Sequence, residues 1–427
     1  MILDSEIAEE FSHHKSGIAR INNGSFGSCP LSILAIQQQW QLKFLSQPDN
    51  FYFNHLKQGI FESRKLIKES VNADHVEEIS IVDNATTAVA IVLRQICWAF
   101  NEGKFQKGDA VVMLHYAYGA VKKSIHAYVE TAGGYVIEAM LPFPVKSNDE
   151  IVSEFRKALK IAKCDGRQIR LAVIDHITSM PSVVIPIKEL VKICREENVE
   201  QIFVDGAHAI GCVDVDMKEI GADFYTSNLH KWLFCPPSVA FLYCRKGSRA
   251  ELHHPVVSSE YGNGLAIESG WIGNRDYSSQ LVVPSVLEFV NRFEGGIEGI
   301  KKRNHDAVVE MGRMLAKAWG THLGSPPDMC SSMAMVGLPA SLGIWNEDDA
   351  LKLRTHLRER FHVEVPIHCE EVKQGEIGNQ NQDGSLVTGY ARISHQVYNN
   401  VDDYEKFRDA IIQLVRDGFT CNMLYPG

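Results

Sequence analysis

An α/β fold on a largely parallel sheet, followed by a smaller α+β domain, is predicted from three observations. From about Ala73 onward, short β-branched or apolar runs alternate with helix-like stretches. These runs are apolar nearly throughout, as strands buried on both faces are. Past residue 280 the alternation gives way to long helical patterns.

In chain order the strand-like runs are "GDAVVML" (108–114), "GGYVIEAM" (133–140), "IRLAVIDHI" (169–177), "EQIFVDGA" (200–207) and "VAFLYC" (239–244). Helical patterns at 149–163 and 187–198 lie between them, which is the alternation of a parallel sheet. Residues 281–320 read as a long helical region, and 346–362 and 401–417 as amphipathic helices. Between the last two, "SLVTGYARISHQVYN" reads as a strand and a turn, and the polar "EEVKQGEIGNQNQDGS" (370–385) as a mobile loop. At 427 residues the chain exceeds one ordinary core. It divides into an N-terminal segment (1–70) packing on the small domain, a large domain (71–285) and a small C-terminal domain (286–427).

A content of 45% hydrophobic and 22% charged residues is that of a soluble globular protein. The net charge of −10 argues against a nucleic-acid partner, which needs a basic surface. No apolar run reaches the length of a membrane span. Residues 1–17 are acidic and lack an apolar signal core, so a cytoplasmic location is expected. The ten cysteines are scattered, without a CxxC pair or zinc spacing. Reduced thiols and no metal site are therefore expected.

Five places carry candidate chemistry. Asp205 in "VDGAHAIG" follows a strand, where α/β proteins bind ligands, and suits an ion pair with a cationic ring nitrogen. Read alone it serves equally as a turn or capping carboxylate. Lys231 in "TSNLHKWLF" stands 26 residues later, ahead of an apolar run. A partly desolvated amine there becomes a nucleophile and base; in isolation it is a snorkelling surface lysine. Asn84, Ala85, Thr86 and Thr87 begin an apolar helix, whose free N–H groups make an anion site or an ordinary cap. "MLHYAYG" offers His115, Tyr116 and Tyr118 for stacking on a flat ring, or for the core. Arg392 in "YARISHQVYN" suits bidentate capture of a carboxylate, or a structural ion pair. Together, an amine, a strand-end carboxylate, a phosphate site and a distal arginine are the parts a pyridoxal phosphate enzyme needs.

With "NATTAV", "DHITSMP", "VDGAHAIG", "NLHKWL", "WIGNRD" and "RISHQVYN" in this order, the sequence resembles the class V aminotransferase family. These are fold-type I pyridoxal phosphate enzymes, and the likeness is to the isopenicillin N epimerase-like branch. The resemblance covers nearly the whole chain, from "INNGSFGSCP" to "RISHQVYN". It implies a mainly parallel seven-stranded sheet, pyridoxal 5'-phosphate as cofactor, and a homodimer with its active site at the subunit interface.

It also implies roles. Lys231 would hold the cofactor as a Schiff base and act as the catalytic base, and Asp205 would pair with the ring nitrogen. His208 would lie beside the ring's phenolic oxygen and Tyr118 would stack on the ring. Ala85, Thr86, Thr87, Asn228 and His230 would surround the phosphate. Arg392 and Asn23 would hold the substrate. Asn274 replaces a threonine that in relatives reaches the partner's phosphate, which weakens that assignment. Cys369 lies roughly where related desulfurases carry a sulfur-accepting cysteine, but its surroundings differ, and an incidental thiol is expected. The implied reaction is β-elimination from L-cysteine to pyruvate, ammonia and hydrogen sulfide. Rivals are a desulfurase leaving alanine, an epimerase, a lyase of larger cysteine conjugates, and a scaffold without cofactor.

Overall fold

The computed structural model describes residues 2–248, 251–370 and 386–424. Past Glu370, the stretch read as a mobile loop lies outside the described residues. Those described form twelve strands: β1 (Ala19–Arg20), β2 (Ile79–Val82), β3 (Ala110–Leu114), β4 (Tyr135–Ala139), β5 (Ile169–Asp175), β6 (Gln201–Asp205), β7 (Phe224–Asn228), β8 (Ala240–Cys244), β9 (Met333–Gly337), β10 (Val363–Glu364), β11 (Ile367–Cys369) and β12 (Gly389–Ser394).

Seven strands form one sheet in the order β2-β8-β7-β6-β5-β3-β4. Its pairs are parallel from β7 to β4, and β8 alone runs against its neighbours β7 and β2. The expected mainly parallel seven-stranded sheet is thus present.

Alternation along each strand feeds two cores. In β3, Ala110, Val112 and Leu114 face one core while Val111 and Met113 face the other. Helix Ala85–Asn101 covers the second face with Val89, Val92 and Ile96. Helices Asn148–Cys164 and Ile187–Glu196 cover the first with Phe155, Leu159, Leu190 and Ile193. Burial on both faces is why these strands read as continuous apolar runs.

The small domain is an antiparallel sheet, β11-β12-β9, backed by helices Gly296–Trp319, Glu347–Phe361 and Val401–Arg416. Two boundaries depart from expectation. The N-terminal segment divides: β1 pairs in parallel with β10 of the small domain, but Ile7, Phe11, Ile33, Ile60 and Ile67 join the large core. The helices of this segment are amphipathic, and the first face of the large sheet is the apolar surface that receives them. At the other junction, helix Val283–Val290 still packs in the large core through Val283, Val286 and Phe289. The crossover lies inside Gly296–Trp319, where Ile300 belongs to the large core and Val308 to the small one. Gly295 and Gly296, both at positive φ, break the long helical region ahead of it.

Candidate active site

The carboxyl ends of β5, β6 and β7, the helix start after β2 and the turn after β3 converge on one cavity of about 160 Å³. Its lining includes Asn84, Ala85, Thr86, Tyr118, Asp175 and Ser179. On the other side stand Asp205, His208, Asn228, His230 and Lys231. Ligands of open α/β sheets bind at this end of the strands.

Lys231 lies in the single turn Leu229–Trp232 that ends β7, and Trp232 beside it is fully buried. The Lys231 amine stands 3.2 Å from Nε2 of His208. Burial first, then the charge of Arg392, lowers the amine to about 8, while Asp205 pulls the other way. Burial and the Lys231 charge hold His208 well below the ordinary histidine range, so its ring is neutral.

The turn is fixed from outside by residues 22–27. Asn23 Nδ2 donates to the Lys231 carbonyl at 2.8 Å, and Asn23 Oδ1 accepts from the Tyr398 hydroxyl at 3.0 Å. Asn23, implied as a substrate contact, thus holds the lysine's backbone through Nδ2 while its Oδ1 is taken by Tyr398. Ser25, two residues on, lines the cavity instead. Gly27 sits at φ +72, and a Cβ there would fall 1.8 Å from the His230 carbonyl oxygen. No other residue permits so close an approach.

Asp205 closes β6; its Oδ1 accepts the Ala207 N–H at 3.0 Å. Gly206 follows because a Cβ there would meet the Tyr225 hydroxyl at 2.3 Å. At the helix start, Asn84 caps Thr87 N–H at 2.9 Å and Asn228 Oδ1 accepts Ala85 N–H at 2.9 Å. Thr86 is exposed there and lines the cavity. Burial lowers His230 to about 4, which leaves it neutral. Of the three aromatic candidates after β3, Tyr118 alone lines the cavity. His115 Nδ1 instead accepts Leu141 N–H at 2.9 Å, and Tyr116 packs against the large core.

Arg392 reaches in from β12 and is buried. Nη1 donates to the Ser179 carbonyl and hydroxyl at 3.0 and 3.2 Å. Nη2 donates to Asn22 Oδ1 at 3.2 Å and Ser25 Oγ at 2.7 Å. Every one of these partners is neutral, Nε has no partner among the described residues, and burial lowers the group to about 10. A buried guanidinium without a counter-ion is costly, and an anionic ligand relieves it.

Of the residues implied from sequence, Thr87, Asn23, Arg392, Asn274 and Cys369 are not among those that line the cavity. Asn274 is exposed in the loop before helix Ser278–Leu281. Cys369 is 4% exposed on β11, in the small-domain core and in register with Gly389. Among the described residues no cluster of side chains could hold a metal ion. Sequence reading missed Asp175, Ser179, Ser25 and Asn22. Their signal was position alone: Asp175 ends its strand as Asp205 does.

The donor set suits pyridoxal phosphate. It offers a desolvated amine for the aldehyde, a carboxylate for the cationic ring nitrogen and an exposed threonine at a 17-residue helix's N-terminus for the phosphate. A tyrosine beside the cavity can cover the ring. Asp175 lines the cavity, and its Oδ2, buried and without a partner among the described residues, is an atom that a polar ligand there would complement.

Residues 51–278 match the family model for aminotransferase class-V. The chain is 68% identical over 426 residues to a probable L-cysteine desulfhydrase, chloroplastic, of Arabidopsis thaliana, covering 99% of this chain and 88% of that protein. It is 61% identical to an L-cysteine desulfhydrase of the same plant, covering 99% of this chain and 94% of that one. Among solved structures, the apo cysteine desulfurase of Thermococcus onnurineus NA1 superposes with a TM-score of 0.72 at 18% identity. That match covers 98% of this chain and 99% of the other, a likeness of fold.

Proposed function

From the premise that the chain belongs to the aminotransferase class-V family, we propose that it is a pyridoxal-phosphate-dependent carbon–sulfur lyase releasing sulfide, pyruvate and ammonia from L-cysteine. One observation carries this reading: a desolvated amine, Lys231, lines the same small cavity as Ser25 and Ser179, the neutral hydrogen-bond partners of the buried Arg392 guanidinium. An amino acid would supply the carboxylate that Arg392 lacks.

Bound at Lys231, pyridoxal phosphate supplies an electron sink for a carbanion at the substrate's α-carbon. Ala85, Thr86 and Thr87 at the helix start, with Asn228 and His230, would hold its phosphate. Tyr118 would cover the ring, and neutral His208 would stand beside it without adding charge. Asp205 would pair with the ring nitrogen. Arg392 binds the substrate carboxylate in a bidentate pair and so fixes the direction of the Cα–H bond. Lys231 Nζ would take the substrate's α-proton. With sulfur on the adjacent carbon, the electron pair left behind would expel the thiolate, and water would hydrolyse the remaining enamine to pyruvate and ammonia.

The burial of Cys369 supports elimination over a desulfurase reaction, which needs an accessible thiol to take the sulfur. We propose a homodimer, as membership of this family implies. Asn274 would then face the partner's phosphate. No helix among the described residues is long and apolar enough to cross a membrane. We place the enzyme in a reducing compartment, the cytosol or, as for the relative named chloroplastic, a plastid.

The test is the chain purified with pyridoxal phosphate. The visible absorbance of bound cofactor and sulfide release from L-cysteine should both be present, and both should vanish in Lys231→Ala. A variant that keeps its colour and activity contradicts the assignment.

A further inference from the structure

The cavity holds a second buried carboxylate with no part in the chemistry above. Asp175 ends β5 as Asp205 ends β6, and the two are directly paired in the parallel register. Partnered residues on neighbouring strands project to the same face about 4.8 Å apart. Asp175 is 3% exposed and Asp205 4%, and both line the cavity. Their surroundings differ. Asp205 accepts the Ala207 N–H and is the carboxylate nearer Lys231, whereas Asp175 Oδ2 has no hydrogen-bond partner among the described residues.

We infer that Asp175 and Asp205 hold one proton between them, with Asp175 the neutral acid and Asp205 the anion. Two carboxylates this close in a desolvated site cannot both ionise. An ionised Asp175 would leave a buried charged oxygen unpaired, whereas the protonated form has an O–H to donate.

The other groups around the pair leave room for one negative charge. On β5 itself, His176 is held neutral by burial, and its Nδ1 lies 2.8 Å from the Tyr225 hydroxyl of β7. Tyr225 is kept protonated by burial and by Asp205. After β6, His208 is neutral. Lys122, on the helix after β3, acts on Asp175, but Glu138 lies 3.2 Å from its amine and balances it. Lys231 is the one cation acting on Asp205. Burial, then the Asp205 charge, holds Asp175 well above the ordinary carboxylate range, in keeping with the geometry.

Asp175 is in this sense a positioning residue, which fixes the charge that Asp205 presents to the ring nitrogen. That consequence rests on the pyridoxal phosphate reading; the shared proton does not.

The apo chain tests the proton directly. Infrared difference spectra at neutral pH between wild type and Asp175→Asn should show loss of one protonated-carboxyl stretch, shifted in D2O. Asn mimics the neutral acid, so the variant should fold and melt at or above the wild-type temperature at pH 8. A spectrum without that band, or an unchanged band in the variant, overturns the pair. Asp175→Leu, which also removes the acid, decides the matter should the Asn variant fail to fold. In the holoenzyme, Asp175→Asn should leave the cofactor's visible band in place and flatten its change with pH. A pH response identical to wild type counts against the positioning role. Absence of any visible band in wild type would overturn the cofactor reading while leaving the infrared result standing.

Discussion

The Lys231 amine lies 3.2 Å from Nε2 of His208, a neutral ring that shares its desolvated cavity. Burial moves the lysine from 10.5 to about 8. The neutral amine is the form that attacks an aldehyde, so cofactor uptake by the apo chain should rise about tenfold per pH unit up to about 8, then level off. Between about 8 and 10.5 the unfolded chain binds more protons at this lysine, so its contribution makes stability rise with pH there. Stopped-flow reconstitution and melting curves across this range measure both.

Arg392 donates two N–H groups to Ser25 and Ser179 hydroxyls and none to a carboxylate. Arg392→Lys removes the planar fork while keeping the charge. The loss of about 2 kcal/mol should appear as a rise in KM of roughly 10- to 100-fold for L-cysteine, with a smaller change in kcat. Steady-state kinetics on the folded variant measure it.

Gly27→Ala would place a methyl group 1.8 Å from the His230 carbonyl oxygen at φ +72. The cost should be about 2–4 kcal/mol, seen as a lower melting temperature, together with weaker cofactor retention because the displaced turn carries Lys231.

Cys369→Ala should lower stability by about 1–2 kcal/mol through the small cavity left in the core. Sulfide release should be unchanged. A collapse of turnover in a well-folded variant would return this thiol to the chemistry.

Asp205 and Lys231 are legible in the sequence because each stands at a strand end flanked by apolar runs. Four of the five strands read from sequence are buried almost throughout and so nearly uniform in polarity, whereas β4, at the sheet edge, exposes Tyr135 and Glu138. By contrast, β7 reads "FYTSN", whose Thr226 and Ser227 bond to backbone carbonyls, so a buried strand looks like a loop. The tasks of Asn23 and Asn22 are set by contacts 208 and 370 residues away in the chain. No local pattern encodes such partners. The sorting of the N-terminal helices between two cores was illegible for the same reason, since an amphipathic face does not name its receptor.

The central claim is that sulfur leaves by elimination. The most direct measurement is incubation of the holoenzyme with L-cysteine, with sulfide, pyruvate and alanine assayed together. Pyruvate equal to sulfide, with no alanine, is the predicted result. Alanine matching the sulfur released, without pyruvate, would contradict it.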